Sequence, residues 1–270
     1  MKFAKFLFIA FFVISCSNED STENNSENKS LVTELNANVF NSGLASSSKF
    51  TFEYDSNQRL TKKSGGYIPR STSTGLGDFF TSEVYTSFTY NNNSVVIENF
   101  SNHPDFTIAK DTRILTLNAS NQIETKEIPN LLNTYNSKKQ NFTYSQNKLV
   151  KIVTTYPNMP YDATDPADYI LSYTENFYYD AKGNLTKSEY FEQHNGVNKG
   201  EKTIRTFEDY DSSENPCKDL QFVDEFFYRS LSKNNFKKYT ISQYNNNVLS
   251  LESTSTWTFI YDSNGQLIIK

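Results

Sequence analysis

Three stretches of the sequence share one pattern that decides the fold class. They are residues 52–60 (FEYDSNQRL), 178–185 (YYDAKGNL) and 259–267 (FIYDSNGQL). In each, a tyrosine precedes an aspartate and a short polar run, and a leucine follows six residues after the tyrosine. Asp, Asn and Gly in such a run bond to their own backbone or accept a positive φ, as tight turns require. Each stretch therefore predicts the turn of a β-hairpin.

The spacing from the residue before the turn to the apolar residue after it is called the step, and further copies of this step extend the pattern along the chain. Phe50, Phe52 and Tyr54 alternate with polar residues, which predicts a strand with one aromatic face. The 22 Phe and 18 Tyr, against 9 Gly, also favour strands. Several hairpins side by side bury a continuous face that one hairpin cannot. We predict an all-β fold, an antiparallel meander of repeated hairpins that forms a barrel or a strongly curled sheet. The further copies are a six-residue step from Tyr90 to Val96 and from Leu117 to Ile123, and a five-residue step from Tyr144 to Leu149 and from Tyr244 to Leu249.

Three stretches interrupt the repeat. Residues 62–80 are rich in Gly, Ser and Thr, and residues 156–169 (YPNMPYDATDPADY) combine proline, tyrosine and aspartate. We expect both to be long loops, and long loops without secondary structure are usually functional or disordered. Residues 220–231 are aromatic-rich, and predict either a short helix or a cover over an open end of the sheet, with a strand as the alternative.

The N-terminus has the pattern of a bacterial lipoprotein signal. Lys2 and Lys5 precede an apolar stretch at residues 6–14, which is too short for a bilayer core that takes about 20 helical residues. Residues 13–16 (VISC) resemble a lipobox, in which the cysteine is acylated and becomes the new N-terminus. We therefore predict a signal peptide at residues 1–15, lipid on Cys16 and a flexible tether over residues 16–30. The β domain is expected to span residues 31–270.

The acidic residues after Cys16 resemble the surface-export signal of Bacteroidetes lipoproteins, although a plain solvated linker also explains them. We predict a protein anchored in the outer membrane by its lipid, with the cell surface favoured over the periplasmic face. Several acyl chains on one residue anchor stably, whereas a single chain is marginal. We thus expect the lipid, and not the β domain, to attach the chain to the membrane.

The repeated Tyr-Asp turns resemble the YD-type repeats of secreted bacterial proteins. From about residue 45 to residue 270 the chain resembles a family of Bacteroidetes surface lipoproteins of unknown function, including residues 210–217 (YDSSENPC), where Cys217 replaces the family's aromatic residue. The resemblance implies an antiparallel, porin-like β-barrel or curled sheet and brings no activity with it. The non-aromatic strand faces carry Thr, Ser, Glu and Lys, so a soluble domain is favoured over a membrane-spanning barrel.

Composition and motifs argue against several function classes. Loss of the signal lowers the formal net charge from −5 to −7, and no basic cluster is present to bind nucleic acid. No HExxH spacing or Gly-rich phosphate loop occurs, and the two histidines, His103 and His194, are expected to be solvated in loops. Cys217 is expected to be a buried structural thiol without a disulfide partner. We expect a monomer without a cofactor and without catalytic residues.

Two groups of residues are candidates for binding. Tyr67, Tyr156, Tyr161 and Tyr169 could form an aromatic platform for a sugar or peptide, or could instead pack the long loops onto the rim of the sheet. Asp162, Asp165 and Asp168 could supply carboxylates to a calcium ion, or could belong to a solvated acidic loop. The favoured function is non-catalytic binding of a glycan, peptide or protein. A structural or assembly role in the cell envelope is the alternative, and a hydrolase is the third hypothesis.

The lipid anchor is tested by replacing its cysteine. Because acylation needs the Cys16 thiol, we expect Cys16→Ala to abolish labelling by a fatty-acid analogue and to release the protein from membranes. The control is Cys217→Ala, which removes the second of the two cysteines and should keep both properties. Continued labelling of Cys16→Ala would refute the anchor.

Overall fold

Fourteen antiparallel strands form one sheet in chain order, each paired with the next. The computed structural model describes residues 31–37, 48–72, 75–103, 108 and 111–268, so the signal peptide, Cys16 and the tether lie outside the described residues. The strands are β1 Glu34–Asn36, β2 Lys49–Tyr54, β3 Leu60–Thr72, β4 Gly75–Asn91, β5 Ser94–Ser101, β6 Thr112–Leu117, β7 Ile123–Ile128, β8 Lys138–Ser145, β9 Lys148–Thr155, β10 Leu171–Tyr179, β11 Leu185–His194, β12 Val197–Tyr210, β13 Phe236–Asn245 and β14 Val248–Thr256.

The sheet is open, because its order begins at β1 and ends at β14 without a pairing between those two strands in the described part of the chain. Helical structure is short. In the part of the chain from residue 111 to residue 268, it comprises 3-10 turns at Thr134–Asn136, Pro216–Asp219 and Asp224–Phe226 and one α-helical turn, α1, at Phe227–Ser230. Within the described ranges, no helix has the length and apolarity needed to cross a membrane.

Four turns share one hydrogen-bonding pattern, because in each of them one side chain accepts hydrogen bonds from nearby backbone N–H groups. The Oδ1 atom of this residue accepts hydrogen bonds of 2.8–3.0 Å from the N–H groups two and four positions later. The residue three positions later has a positive φ of 57° to 92°. This geometry confirms the predicted hairpin turns at residues 52–60 and 178–185, and 259–267 forms the same turn with a single bridge from Tyr261 to Leu267. The four residues are Asp55, Asn118, Asp180 and Asp262.

The turn after Tyr90 is one residue shorter than the sequence step predicted. Asn91 pairs with Ser94, and Tyr90 therefore pairs with Val95 and not with Val96. Val95 is fully buried, whereas Val96 is on the opposite face of β5. Two adjacent valines fit the sequence pattern equally well, and packing of the buried face selects the first.

The stretch 62–80 is not a loop, because β3 and β4 run through its described residues. The prediction was wrong because it took glycine as a sign of a loop. Gly65 instead lies at a β-bulge with φ of 97°, where the register of β3 on β4 shifts. A Cβ atom there would lie 2.8 Å from the carbonyl oxygen of Lys49. The second stretch, 156–169, is confirmed as a loop between β9 and β10.

The segment between β12 and β13, residues 211–235, is called the insert. It packs against one face of the sheet, here called the inner face. Phe226 of the insert is 2% exposed, and its ring meets the rings of Phe50 and Phe52 on β2 at centroid distances of 5.4 and 5.9 Å. The prediction of a short helix within residues 220–231 is confirmed. This helical segment packs on the inner face of the sheet.

The insert also contacts strands far along the sheet, and this shows that the sheet curls. Phe227 lies 6.4 Å from Phe142 of β8, and Tyr228 lies 5.7 Å from Phe207 of β12. In a flat sheet with about 4.8 Å between strands, β2 and β12 would be about 50 Å apart. A helical turn with its side chains is only about 10–12 Å across. The sheet therefore wraps around the insert, and the curled open sheet is the correct alternative to the barrel.

Removal of the Phe226 ring tests the dependence of the fold on the insert. We expect Phe226→Ala to lower the free energy of unfolding by about 3–5 kcal/mol, because it leaves a cavity between the insert and β2. The control is Leu132→Ala in the β7–β8 loop, where the side chain is 98% exposed and the change should stay within about 0.5 kcal/mol. Denaturant unfolding measures both, and similar small losses would contradict the packing.

Candidate functional site

Four cationic side chains of the sheet turn toward the interior. They are Lys63 on β3, Arg113 on β6, Lys126 on β7 and Arg205 on β12, with side-chain exposures of 4% to 20%. A buried charge is costly unless an opposite charge and hydrogen bonds compensate it. The arrangement therefore requires acidic partners inside the curl.

The insert supplies acids to three of these cations. Asp224 forms salt bridges with both Arg113 and Lys126, the latter at 2.7 Å between Nζ and Oδ1. Glu225 pairs with Lys63. Because the partners come from β3, β6 and β7, these ion pairs orient the insert across the inner face.

The Asp224 carboxyl is ionised in this setting. Burial alone would raise its pKa, but the charges of Lys126 and Arg113 and their hydrogen bonds outweigh burial and hold the pKa below its usual value. Its side chain is still 53% exposed, because two cavities open beside it.

A second charged group lies across the interior, on β10. Glu175 is 7% exposed and accepts hydrogen bonds from the Arg205 guanidinium at 3.2 Å and from the Tyr228 hydroxyl at 2.9 Å. Burial, followed by the charge of Glu175, raises the pKa of Tyr228 far above its usual value, so its hydroxyl remains a donor. This group again joins the sheet to the insert.

Two cavities remain where the insert does not fill the curl. The first has a volume of about 210 Å³ and the second about 230 Å³, and Phe222 and Asp224 of the insert contribute to both. The first is lined by Ile97, Leu115, Ile123, Lys126, Gln140, Phe142, Ile152, Glu175, Gln221, Phe222, Asp224, Phe227 and Tyr228. The second is lined by Lys63, Gly66, Tyr67, Val84, Thr86, Phe88, Asn99, Asp111, Arg113, Phe222, Val223, Asp224 and Glu225.

A row of tyrosines lies on the inner face beside the first cavity. Tyr173 stacks on Tyr190 at 5.2 Å between ring centroids, and Tyr156 meets the edge of Tyr173 at 6.2 Å. Tyr190 pairs with Glu175 in the sheet register. Burial, and then the nearby Glu192 carboxylate, raises the pKa of Tyr173 to about 12. The Tyr173 hydroxyl donates to Glu192 at 3.3 Å, and the row continues along the face of the sheet that carries Glu175.

Of the four predicted tyrosines, only Tyr156 belongs to this row. Tyr67 is on β3, where it packs against Phe80 at 5.5 Å and lines the second cavity. Tyr161 is exposed in the β9–β10 loop, and Tyr169 stacks on His194 at 3.5 Å. Tyr67 is thus on a different element from the other three. Both the platform and the rim-packing hypothesis stay predictions for the loop tyrosines.

The two histidines are less solvated than expected. His194 ends β11, is half-buried under Tyr169, and its Nε2 atom lies 2.8 Å from Glu192. His103 is also half-buried, with Nε2 at 3.5 Å from the Glu83 carboxylate. The expectation of a loop histidine is wrong for His194, which ends a strand and has Tyr169 of the β9–β10 loop stacked on its ring, whereas His103 follows β5 in a loop as expected.

The three loop aspartates bond to their own loop. Asp162 accepts the N–H of Thr164 at 2.8 Å, and Asp168 accepts the N–H of Asp162 at 2.7 Å. Asp165 accepts the N–H of Ala167 at 2.8 Å. No group of three or more His, Cys, Asp or Glu side chains in the described ranges is arranged to hold a metal ion. The carboxylates shape this loop, and the calcium site stays a prediction.

Cys217 is fully buried in the core beside Leu220, as the sequence indicated, and is a free thiol. Burial raises the pKa of this thiol to about 12. Asn215 caps its turn by accepting the N–H of Cys217 at 2.9 Å and donates to the carbonyl oxygens of Arg229 and Ser232. Cys217 therefore has a packing role.

Sequence reasoning did not single out several polar and aromatic side chains of the interior. Glu175, Lys126 and Gln140 were not singled out, and neither were Tyr173 and Tyr190. The signal that could have found two of them is the alternation in β10, where Tyr173 and Glu175 share a face with the buried Phe177. A glutamate in an otherwise aromatic strand face indicates a buried polar partner elsewhere.

Comparison with solved structures finds porin-like proteins of Bacteroides with a similar all-β fold. One, from Bacteroides uniformis ATCC 8492, aligns with a TM-score of 0.47 and 14% identity over 81% of this chain and 80% of that chain. Another, from Bacteroides vulgatus ATCC 8482, aligns with a TM-score of 0.45 and 12% identity over 88% and 90%. No protein-family model matches the chain. No curated protein matches it either.

Replacement of Asp224 tests the ion pairs at acidic pH. Since the carboxylate is half exposed, water screens it, and we expect Asp224→Asn to cost about 1–2 kcal/mol at pH 7. The folded pKa lies below the unfolded value of about 3.9, so the stabilisation is present above that pH and is lost as pH falls through the folded pKa.

Urea unfolding from pH 7 to pH 2 measures this effect. The gap between wild type and Asp224→Asn should close below about pH 4. The control is Glu208→Gln, which removes the exposed pair with Lys238 and should cost less than about 1 kcal/mol. A gap that stays constant down to pH 2 would show that the carboxylate is not the source of the stabilisation.

Proposed function

We propose that this protein is a non-catalytic binding protein that takes a small ligand into the first cavity, between the insert and the inner face. The observation that carries the proposal is the cavity itself, which apolar side chains line together with the polar side chains of Glu175, Lys126 and Gln140. Ligand sites in proteins combine such apolar walls with a few placed polar groups. The ligand is a glycan, a peptide or part of a protein.

Binding without catalysis fits the state of the interior groups. Glu175 pairs with Arg205, and Asp224 pairs with Arg113 and Lys126, so both carboxylates are already engaged in ion pairs within the structure. The Cys217 thiol is buried, and its raised pKa keeps it protonated. A nucleophilic thiol needs the opposite, a lowered pKa and access to substrate.

The location belongs to the same proposal. Lipid on Cys16 anchors the mature chain in the outer membrane, and the polar tether of residues 16–30 holds the β domain at the cell surface. Support comes from the signal pattern of residues 1–16 and from the absence of apolar residues in 17–30. The domain acts there as a monomer.

A second candidate function is an assembly role in the envelope, and β14 favours it. This strand is the last in the sheet order, and all nine of its residues are exposed, among them Val248, Leu249 and Leu251. A long exposed edge strand can pair with a strand of another chain. Co-purification with one envelope complex, lost when Leu251 is replaced by proline, would favour this role over ligand binding.

A thermal-shift screen of the purified mature protein tests ligand binding. The probes are glycans, peptides, haem and calcium. A ligand at about 100 times its Kd adds about 2.7 kcal/mol of stability, which raises the midpoint by several degrees. A shift should disappear in Ile152→Phe, because the larger ring fills the cavity that Ile152 lines.

The control for this variant is the neighbouring residue. Val153→Phe adds the same ring on the opposite face of β9, where Val153 pairs with Asn141 and Thr174, and should keep the ligand-induced shift. If no class of probe shifts the wild-type midpoint, ligand binding is rejected in favour of the assembly role.

A further inference from the structure

We infer that the first cavity takes a neutral, hydroxyl-rich ring of the size of one sugar residue. This inference rests on the proposed function and names the chemical class of its ligand. Three features of the cavity carry it, namely the balance of its charges, the unused hydrogen-bonding capacity of its polar side chains, and the size and chemistry of its walls.

Charge balance excludes an ionic ligand of either sign. Asp224 already has Lys126 and Arg113 as partners, and Glu175 already has Arg205. An ionic group brought into this partly buried space would find no free counter-charge, and an uncompensated buried charge is costly. A zwitterion would have to break these existing pairs to place its two ends. A neutral ligand leaves every ion pair intact.

The polar side chains retain both donors and acceptors. The Lys126 ammonium has three N–H groups and uses one of them on Asp224, at 2.7 Å. The Gln140 amide donates one N–H to Thr154 at 3.2 Å, which leaves its carbonyl oxygen as an acceptor. The Glu175 carboxylate accepts from Arg205 and Tyr228 and has about four acceptor positions in all.

This combination of donors and acceptors suits hydroxyl groups of a ligand better than other polar groups. A hydroxyl both donates and accepts, so neighbouring hydroxyls on one ring can donate to Glu175 or Gln140 and accept from Lys126. An amine cannot accept from Lys126 when it is charged, and a carboxylate cannot donate to Glu175. The donors and acceptors come from β7, β8 and β10 and line one cavity.

The walls and the volume match the rest of a sugar ring. Phe142, Phe227 and Tyr228 supply aromatic surface for its C–H groups. The volume of about 210 Å³ exceeds the roughly 150 Å³ of a protein cavity that binds a benzene ring. It is smaller than the roughly 300–1,000 Å³ of a pocket for a drug-sized ligand, so one ring fits and an oligosaccharide does not fit inside.

Titration calorimetry on the purified mature protein tests the class. The probes are glucose, galactose, mannose and N-acetylglucosamine as neutral rings, glucuronic acid and glucosamine as charged rings of the same size, and phenylalanine as a zwitterion. We expect at least one neutral sugar to bind and its charged analogues to bind at least tenfold more weakly. Gln140→Leu should weaken the neutral sugar at least tenfold.

The matched control is Asn141→Leu, the adjacent residue on the outer face of β8, which should leave the affinity unchanged. Preferential binding of glucuronic acid, glucosamine or phenylalanine, abolished by Ile152→Phe, would overturn the inference of a neutral sugar ring and leave the proposed function standing. Binding of no probe at all, or sugar binding that persists in Ile152→Phe, would overturn the assignment of sugar to this cavity. A thermal shift by another class of probe that Ile152→Phe removes would then still support the proposed function.

Discussion

The docking of the insert inside the curled sheet is the interaction on which the rest of the structure depends. Phe226 packs on β2, Tyr228 packs on β12, and Asp224 pairs with cations of β6 and β7. Among the described residues, the open sheet of fourteen strands has no closing pair between β1 and β14 to hold its curvature. The insert holds it instead, because one short helical segment contacts strands that would be about 50 Å apart in a flat sheet.

This way of filling a sheet also produces the cavities. A helical segment is narrower than the space enclosed by the curl, so it leaves one cavity on each side of Phe222 and Asp224. Without the insert, Lys63, Arg113 and Lys126 of the inner face would each lose an acidic partner, and burial of an unpaired charge is costly. The acidic side chains that dock the insert therefore balance positive charges of the inner face. The polar side chains that line the first cavity keep unused hydrogen-bond donors and acceptors, while their charges are already paired.

Several elements could be predicted from sequence because their physics is local. The Asp and Asn turns are stabilised within five residues, by bonds from each side chain to backbone two and four positions later. The alternation of Phe50, Phe52 and Tyr54 depends only on strand geometry. Prediction failed where two interpretations of the same short stretch of sequence fitted equally well. Val95 and Val96 both suited the turn after Tyr90, and Gly65 suited a loop as well as a bulge.

The sequence by itself determined that the chain is all-β, where most of its hairpins turn, and that Cys217 is buried, because these follow from side chains and their immediate neighbours. Only the tertiary structure decided that the sheet stays open and where its cavities lie. The pairs that decide this join residues 98 to 162 positions apart, Lys126 with Asp224, Arg113 with Asp224 and Lys63 with Glu225. No local pattern specifies such partners, since any acid of the chain could have paired with those cations until the sheet curled around the insert.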